Sequence, residues 1–375
     1  MRIGIDAREL CGQPTGVGRY LNGLLAAWTA DDRVRGHEFV LYAPESIGVA
    51  IDGHRFRTRI VPGIGGSWWE QVQLPRAAAR DHLDVFFAPA YSASLLHTVP
   101  TVVAIHDLSF VAHPEWFTVR EGVRRRWIVR QSAARARAII TISEFSRTEL
   151  IDRLGVADHR IHVIPPGITP PGITPPGVTL HASLTRVPPQ VNDIVVHGAR
   201  VLYVGSIFNR RHLPDLIRAF APIARAHARA ALDIVGDNRS YPHQDLAAII
   251  AGHALTGRAR WRPYVSDDEL AALYGAARAF AFLSEYEGLG LTPLEALAAG
   301  IPPVLLDTPV ARESCGDAAL YVAPGDVRAA TDALDTLLFD DDERARLLAA
   351  APDALAKYSW PRAASETLTV LEGSA

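Results

Sequence analysis

Short apolar runs alternate with helix-like stretches through both halves of the chain, which predicts an α/β protein of two doubly wound parallel sheets. Two further features support that class. The 375-residue chain is interrupted near its middle by a proline-glycine repeat, and its 49% apolar content suffices for two buried cores. The spacing predicts strands over 3–5, 39–42, 85–88, 102–105 and 139–142 in the first half, and over 201–204, 232–235, 280–283 and 304–306 in the second. Helices are predicted over 19–28, 120–136, 213–227, 243–255, 267–277 and 293–299. The fifth opens on Ser266-Asp267-Asp268-Glu269, a capping box that satisfies amides of the first turn.

The repeat reads Pro165-Pro166-Gly167-Ile168-Thr169, the same pentapeptide again, then Pro175-Pro176-Gly177-Val178-Thr179. Proline lacks the amide that a helix interior or central strand needs, so the segment is expected to be a stiff, extended linker. Its five-residue period excludes collagen, which requires glycine at every third position. The expected division is a first domain over 1–185 and a second over 186–357. Doubly wound sheets bind ligands outside the C-terminal ends of their strands, so functional residues are sought there.

Composition narrows the function. Lys+Arg 38 against Asp+Glu 41 gives a formal charge of -3, without the basic field of a nucleic-acid binder. Cys11 and Cys315 are too few for a disulfide framework or a cysteine zinc site, which fits a reducing cytoplasm. The N-terminus becomes charged before any apolar segment long enough for a signal peptide. Residues 85–105 lack Asp, Glu, Lys and Arg, but Pro89, His97 and Pro100 make them two buried strands with a connection rather than a membrane span.

The strongest constellation follows the predicted strand 280–283: Ser284-Glu285-Tyr286-Glu287-Gly288-Leu289-Gly290-Leu291-Thr292-Pro293-Leu294-Glu295, then Gly300 and Pro302. A glycine loop here leads into a helix with Thr292 expected as N-cap, Pro293 at N1 and Glu295 at N3. Such an opening presents free amides and the positive end of the helix dipole, an anion site suited to phosphate. Glu287 and Glu295 have seven residues between them and can bracket a ligand through its vicinal hydroxyls. Glu295 also fits as the second member of a capping box, and Glu287 as a solvated loop charge. Spacing alone leaves both readings open.

The segment resembles the E-x7-E signature of retaining glycosyltransferases of family 4, which have the GT-B fold of two Rossmann-like domains facing a cleft. The resemblance implies that Glu287 faces a donor sugar, that Glu295 holds a nucleotide ribose, and that the amides of Gly288, Leu289, Gly290 and Leu291 contact sugar and phosphate. Thr15-Gly16-Val17-Gly18-Arg19-Tyr20 resembles the family's N-terminal glycine loop beside the donor diphosphate, which implicates Gly16 and Gly18. His106-Asp107-Leu108-Ser109-Phe110 through His113-Pro114-Glu115-Trp116 is similar to the mannosyl- and rhamnosyltransferase subgroup of bacterial polysaccharide assembly, with His106 at a strand end. Tyr203-Val204-Gly205-Ser206, then Arg210-Arg211-His212, resembles the strand, glycine and basic pair that bind donor phosphates. The usual pair is arginine-lysine followed by asparagine, so Arg211 and His212 depart from it, as does Ser206. Tyr358-Ser359-Trp360 resembles the start of a final helix, over 358–375, that crosses back to the first domain. Apart from the pentapeptide repeat, the resemblance spans the chain.

The function implied is transfer of a hexosyl unit, with mannose from GDP-mannose as first expectation, from a nucleotide diphosphate sugar to a glycan or lipid-linked acceptor. Catalytic roles fall on His106, Arg210, Arg211 and Glu287. No cofactor or metal is expected, because the single Asp-x-Asp, at Asp340-Asp341-Asp342, reads as a helix cap far from any strand end. A nucleotide-sugar epimerase of the same architecture and a non-catalytic sugar-nucleotide binder are the alternatives. Neither half opens on Gly-x-Gly-x-x-Gly, which argues against a Rossmann dehydrogenase. The stretch from Arg120 to Arg137 holds seven arginines and one glutamate, a local charge of +6, and fits either a solvated helix or peripheral contact with an anionic membrane face.

Overall fold

A computed structural model describes residues 1–12, 16–51, 55–169, 178–180 and 198–375. The chain forms two compact units. One comprises Met1–Gly167, Thr174–Thr185 and Tyr358–Ala375, and the other Ile168–Ile173 and Arg186–Lys357.

In the first unit the strands are β1 (Arg2–Asp6), β2 (Glu38–Ala43), β3 (Val49–Ile51), β4 (Phe56–Ile60), β5 (Val85–Ala88), β6 (Thr101–Ala104), β7 (Ala138–Thr141), β8 (Ile161–Val163) and β9 (Val178–Leu180). Its helices are α1 (Gly16–Ala30), α2 (Gly66–Trp68), α3 (Leu74–Ala78), α4 (Ser109–Ala112), α5 (Val119–Arg135) and α6 (Glu144–Leu154). Seven strands form one sheet in the order β4-β2-β1-β5-β6-β7-β8, every pair parallel. The central runs Val85-Phe86-Phe87-Ala88 and Ala138-Ile139-Ile140-Thr141 are buried throughout, as strands covered on both faces require. Residues 85–105 are thus β5, a connection and β6, as expected.

The second unit contains β10 (Arg200–Val204), α7 (Leu213–Ala226), β11 (Ala231–Val235), α8 (Leu246–Gly252), β12 (Ala259–Arg262), α9 (Asp267–Ala276), β13 (Ala279–Phe282), α10 (Leu291–Ala298), β14 (Pro303–Leu306), α11 (Pro309–Cys315), β15 (Leu320–Val322), α12 (Val327–Phe339) and α13 (Asp341–Leu355). Its parallel sheet runs β12-β11-β10-β13-β14-β15, the doubly wound order in which the winding reverses between β10 and β13. Asp233 of β11 is buried between the guanidinium groups of Arg200 on β10 and Arg262 on β12, which ties three strands through one carboxylate. Local signals set the helix starts. Ser266 accepts from the Glu269 amide at 3.2 Å, and Asp340 accepts from the Asp342 and Glu343 amides, so the Asp-x-Asp is a cap.

The last helix, α14 (Trp360–Glu372), starts at the Ser359 cap and belongs to the first unit, where Trp28 Nε1 of α1 donates to the Ala364 carbonyl at 2.9 Å.

Several sequence expectations shift. Helix α1 begins at Gly16 rather than Arg19, so Gly16 and Gly18 lie in its first turn and not in a loop; Thr15 is outside the described residues. The helix expected over 243–255 is confined to α8, because Asp245 caps it by accepting from the Ala248 amide. Of the repeat, residues 170–177 are outside the described residues, while Val178 and Thr179 enter β9, paired antiparallel with β3, which a pure linker does not do. Among the described residues no helix is long and apolar enough to cross a membrane.

The ends of β10 and β11 meet at two glycines. Gly236 has φ 147°, and a Cβ there would lie 2.0 Å from the Gly205 carbonyl oxygen, a backbone atom that cannot rotate away. Gly236→Ala is therefore expected to cost about 2 kcal/mol or more and to lower the Tm by roughly 4–8 °C in a calorimetric scan. An unchanged Tm would refute this packing.

Candidate active site

The switch point between β10 and β13 places two loops side by side, one after Val204 and one after Phe282. They are joined through the backbone, since the Glu285 amide donates to the Arg210 carbonyl at 2.9 Å. His212, where the resemblance expected asparagine, stands 2.7 Å from Glu285 Oε1 and 3.3 Å from Asp215 Oδ2. The imidazole ring thus bridges the second loop and the start of α7.

Arg211 and Glu287 form the central contact. The Arg211 Nε and one terminal nitrogen each lie 2.8 Å from Glu287 Oε1, and the other terminal nitrogen donates to the Ser206 carbonyl at 2.6 Å. The guanidinium lies over the Phe282 ring at 4.7 Å and the Phe208 ring at 5.6 Å. Gly205 permits this, because a Cβ at that position would come within 2.7 Å of the guanidinium. Ser284 Oγ also donates to Glu287 Oε1, at 2.8 Å. Three donors therefore saturate Oε1, and no described residue donates to Oε2. The carboxylate is held through one of its two oxygens. Burial opposes the charge on Arg211, but Glu287 and the Tyr203 phenol together outweigh it, and the net shift of the guanidinium pKa is upward. Burial likewise raises the neighbouring Tyr203 phenol to about 12.

The second loop runs into α10, and here the structure corrects the expected cap. Gly290, with φ 84°, is the N-cap, so Leu291, Thr292 and Pro293 take the first three helical positions. Glycine tolerates the left-handed conformation and lets the helix start earlier than Thr292. Glu295 then lies at the fifth position, out of reach of a capping box, and is 5% exposed. The capping reading of Glu295 is therefore wrong. The amides of Gly290, Leu291 and Thr292 have no intrahelical acceptor, Pro293 has no amide to offer, and together with the dipole they form an anion site. Thr292 Oγ1 is buried without a partner in the same turn. That unsatisfied hydroxyl is a feature the sequence reading assigned to capping and so missed.

In the first unit His106 lies just beyond β6, 6% exposed, and its Nε2 donates to the Pro89 carbonyl at 2.7 Å. The Tyr20 and Tyr91 rings meet it edge-on at 4.7 and 5.5 Å. Burial lowers its pKa, so the ring is neutral with the proton on Nε2 and the lone pair on Nδ1. At the end of β1, Arg8 lies 2.5 Å from Asp6 and 3.2 Å from Glu70, whose other oxygen accepts from Ser92 Oγ at 2.6 Å. Asp6 is wholly buried, and that burial raises its carboxyl pKa although Arg8 opposes the rise. No sequence signal linked Arg8 to Glu70, because only the fold brings them together. Among the described residues no three His, Cys, Asp or Glu side chains are grouped to hold a metal ion.

Arg211 and Glu287 are only 12% and 16% exposed, so removing one member leaves a nearly buried charge. Arg211→Ala is expected to destabilise the second unit by about 3 kcal/mol and to lower kcat/KM for transfer by ~10–100-fold. A parental Tm together with an unchanged kcat/KM would remove Arg211 from both roles.

Comparison with known proteins places the chain in a family. Residues 14–170 match the model for Glycosyltransferase Family 4, and residues 189–353 match that for Glycosyl transferases group 1. The O-antigen chain mannosyltransferase B of Escherichia coli is 26% identical over 293 residues, covering 78% of this chain and 75% of the relative. Among solved structures, sucrose-phosphate synthase from Thermosynechococcus elongatus has a TM-score of 0.75 at 17% identity, over 99% of this chain and 98% of that one. Anabaena HepE in complex with UDP and glucose has a TM-score of 0.73 at 18% identity over the whole of both chains. The chain belongs to the glycosyltransferases that join a Family 4 domain to a group 1 domain, with the two Rossmann-like parallel-sheet domains of the GT-B class.

Proposed function

We propose that this glycosyltransferase moves a hexosyl unit from a nucleotide diphosphate sugar to a hydroxyl of a glycan or lipid-linked acceptor, with retention at the anomeric carbon and without a metal. One observation carries the reading: Glu287, saturated on Oε1 and open on Oε2, stands three residues ahead of the anion-binding opening of α10. An open carboxylate oxygen accepts from sugar hydroxyls, while the helix amides, Arg210 and Arg211 meet the charge on the departing diphosphate. Glu295, buried one turn into α10, is assigned to the nucleotide ribose, and Gly288 and Leu289 to the sugar and phosphate.

In the proposed step the bond from the anomeric carbon to the diphosphate oxygen breaks, and the acceptor oxygen bonds that carbon from the same face. The acceptor proton passes to the leaving phosphate. His106, neutral at the end of β6, is assigned to substrate contact rather than to proton abstraction, because its low pKa makes it a weak base. GDP-mannose is the first donor, supported by the mannosyltransferase named among the relatives. A UDP-hexose is the competing donor, supported by the UDP and glucose in HepE.

Transfer assayed in excess EDTA, with the product anomer read by NMR, tests the proposal. The expected product keeps the donor's anomeric configuration and forms at the metal-free rate. Abolition by EDTA with rescue by Mn²⁺, or an inverted product, would overturn it.

A further inference from the structure

Helix α5 displays three large apolar side chains outward, while Ile128 and Val129 pack against the core. Val119, Val123 and Trp127, four residues apart and therefore on one face, are 83%, 54% and 57% exposed. Inward the helix buries mainly small residues, Gly122, Ser132 and Ala133, with Val129. Arginines flank the outward stripe. Arg120 and Arg130 have no hydrogen bond or ion pair among the described residues. Arg124 donates to Ser67 Oγ and Arg135 to Gln131 Oε1, so none of these four cations has a carboxylate partner. The Arg124 contact also brings the segment carrying Trp68, 69% exposed, against α5.

A surface with exposed tryptophans, valines and four uncompensated cations fits one class of partner best. Packing against a second copy of this chain would set these arginines against their own equivalents. A protein interface core is depleted of charge, which this face is not. An anionic bilayer satisfies both features, because tryptophan rings settle at the headgroup level while guanidinium groups grip lipid phosphates. We propose that the outward face of α5, with Trp68, is a docking surface for an anionic lipid bilayer, on which the chain lies without spanning it.

Flotation of the full chain with phosphatidylcholine vesicles, with and without phosphatidylglycerol, tests the proposal independently of any donor or acceptor. The chain is expected to float with the phosphatidylglycerol vesicles only, and to be released as salt is raised. Trp127→Ser combined with Val123→Ser, and separately Arg120→Gln combined with Arg130→Gln, should each lower partition ~10-fold or more at a parental Tm. Absence of flotation, partition unchanged in both variants, or a dimer that the Trp127→Ser and Val123→Ser pair dissolves would each overturn it.

Discussion

The second unit depends on one interaction, the nearly buried ion pair between Arg211 and Glu287. Its members come from loops 76 residues apart in sequence, and their attraction fixes the side-chain geometry on both sides of the switch point. In water such a pair would be worth little. Here burial, two flanking aromatic rings and the Ser206 carbonyl hold the guanidinium in place, and with Ser284 Oγ it orients the carboxylate. Arginine in place of the family's usual lysine is no conservative exchange at this position, since an ammonium presents no planar fork to hold two acceptors and stack between rings.

The parallel order of the sheet supplies the rest. It sets the ends of β10 and β13 side by side, and it brings Gly236 so close to the Gly205 carbonyl that Gly236 tolerates no side chain. Gly205 lets Arg211 lie against the backbone, and Gly290, in the left-handed conformation, lets α10 begin at Leu291. The anion site and the oriented carboxylate are therefore two products of the same topology. In the first unit the corresponding position, the end of β1, holds the Asp6, Arg8 and Glu70 cluster, which arises from the same strand-end geometry with different residues.

Much of this was legible in the sequence, and the gaps have physical reasons. Buried central strands such as β5, β7 and β13 stand out as apolar runs because both faces are covered. Edge strands do not: β4 reads Phe-Arg-Thr-Arg-Ile, with Arg59 turned to Asp81, and β12 reads Ala-Arg-Trp-Arg, with Arg262 turned to Asp233. Their arginines serve buried carboxylates that no local pattern reveals. Glu287, Arg211 and the glycines were visible as a motif. The cap was misplaced because Thr-Pro is a strong helix-start signal, and only the backbone angle of Gly290 shows that the helix had already begun.

The claim that Glu287 is oriented by Arg211 to meet the donor's sugar, and not its phosphates, is tested most directly by paired calorimetric titrations of Glu287→Gln. One titrant is the nucleotide sugar that the parent chain binds, the other the matching nucleoside diphosphate. The variant is expected to bind the diphosphate at least as tightly as the parent, because Arg211 loses its counter-charge, while affinity for the nucleotide sugar falls about tenfold, or ~1.4 kcal/mol. Equal loss for both ligands, or no loss for either, would contradict it.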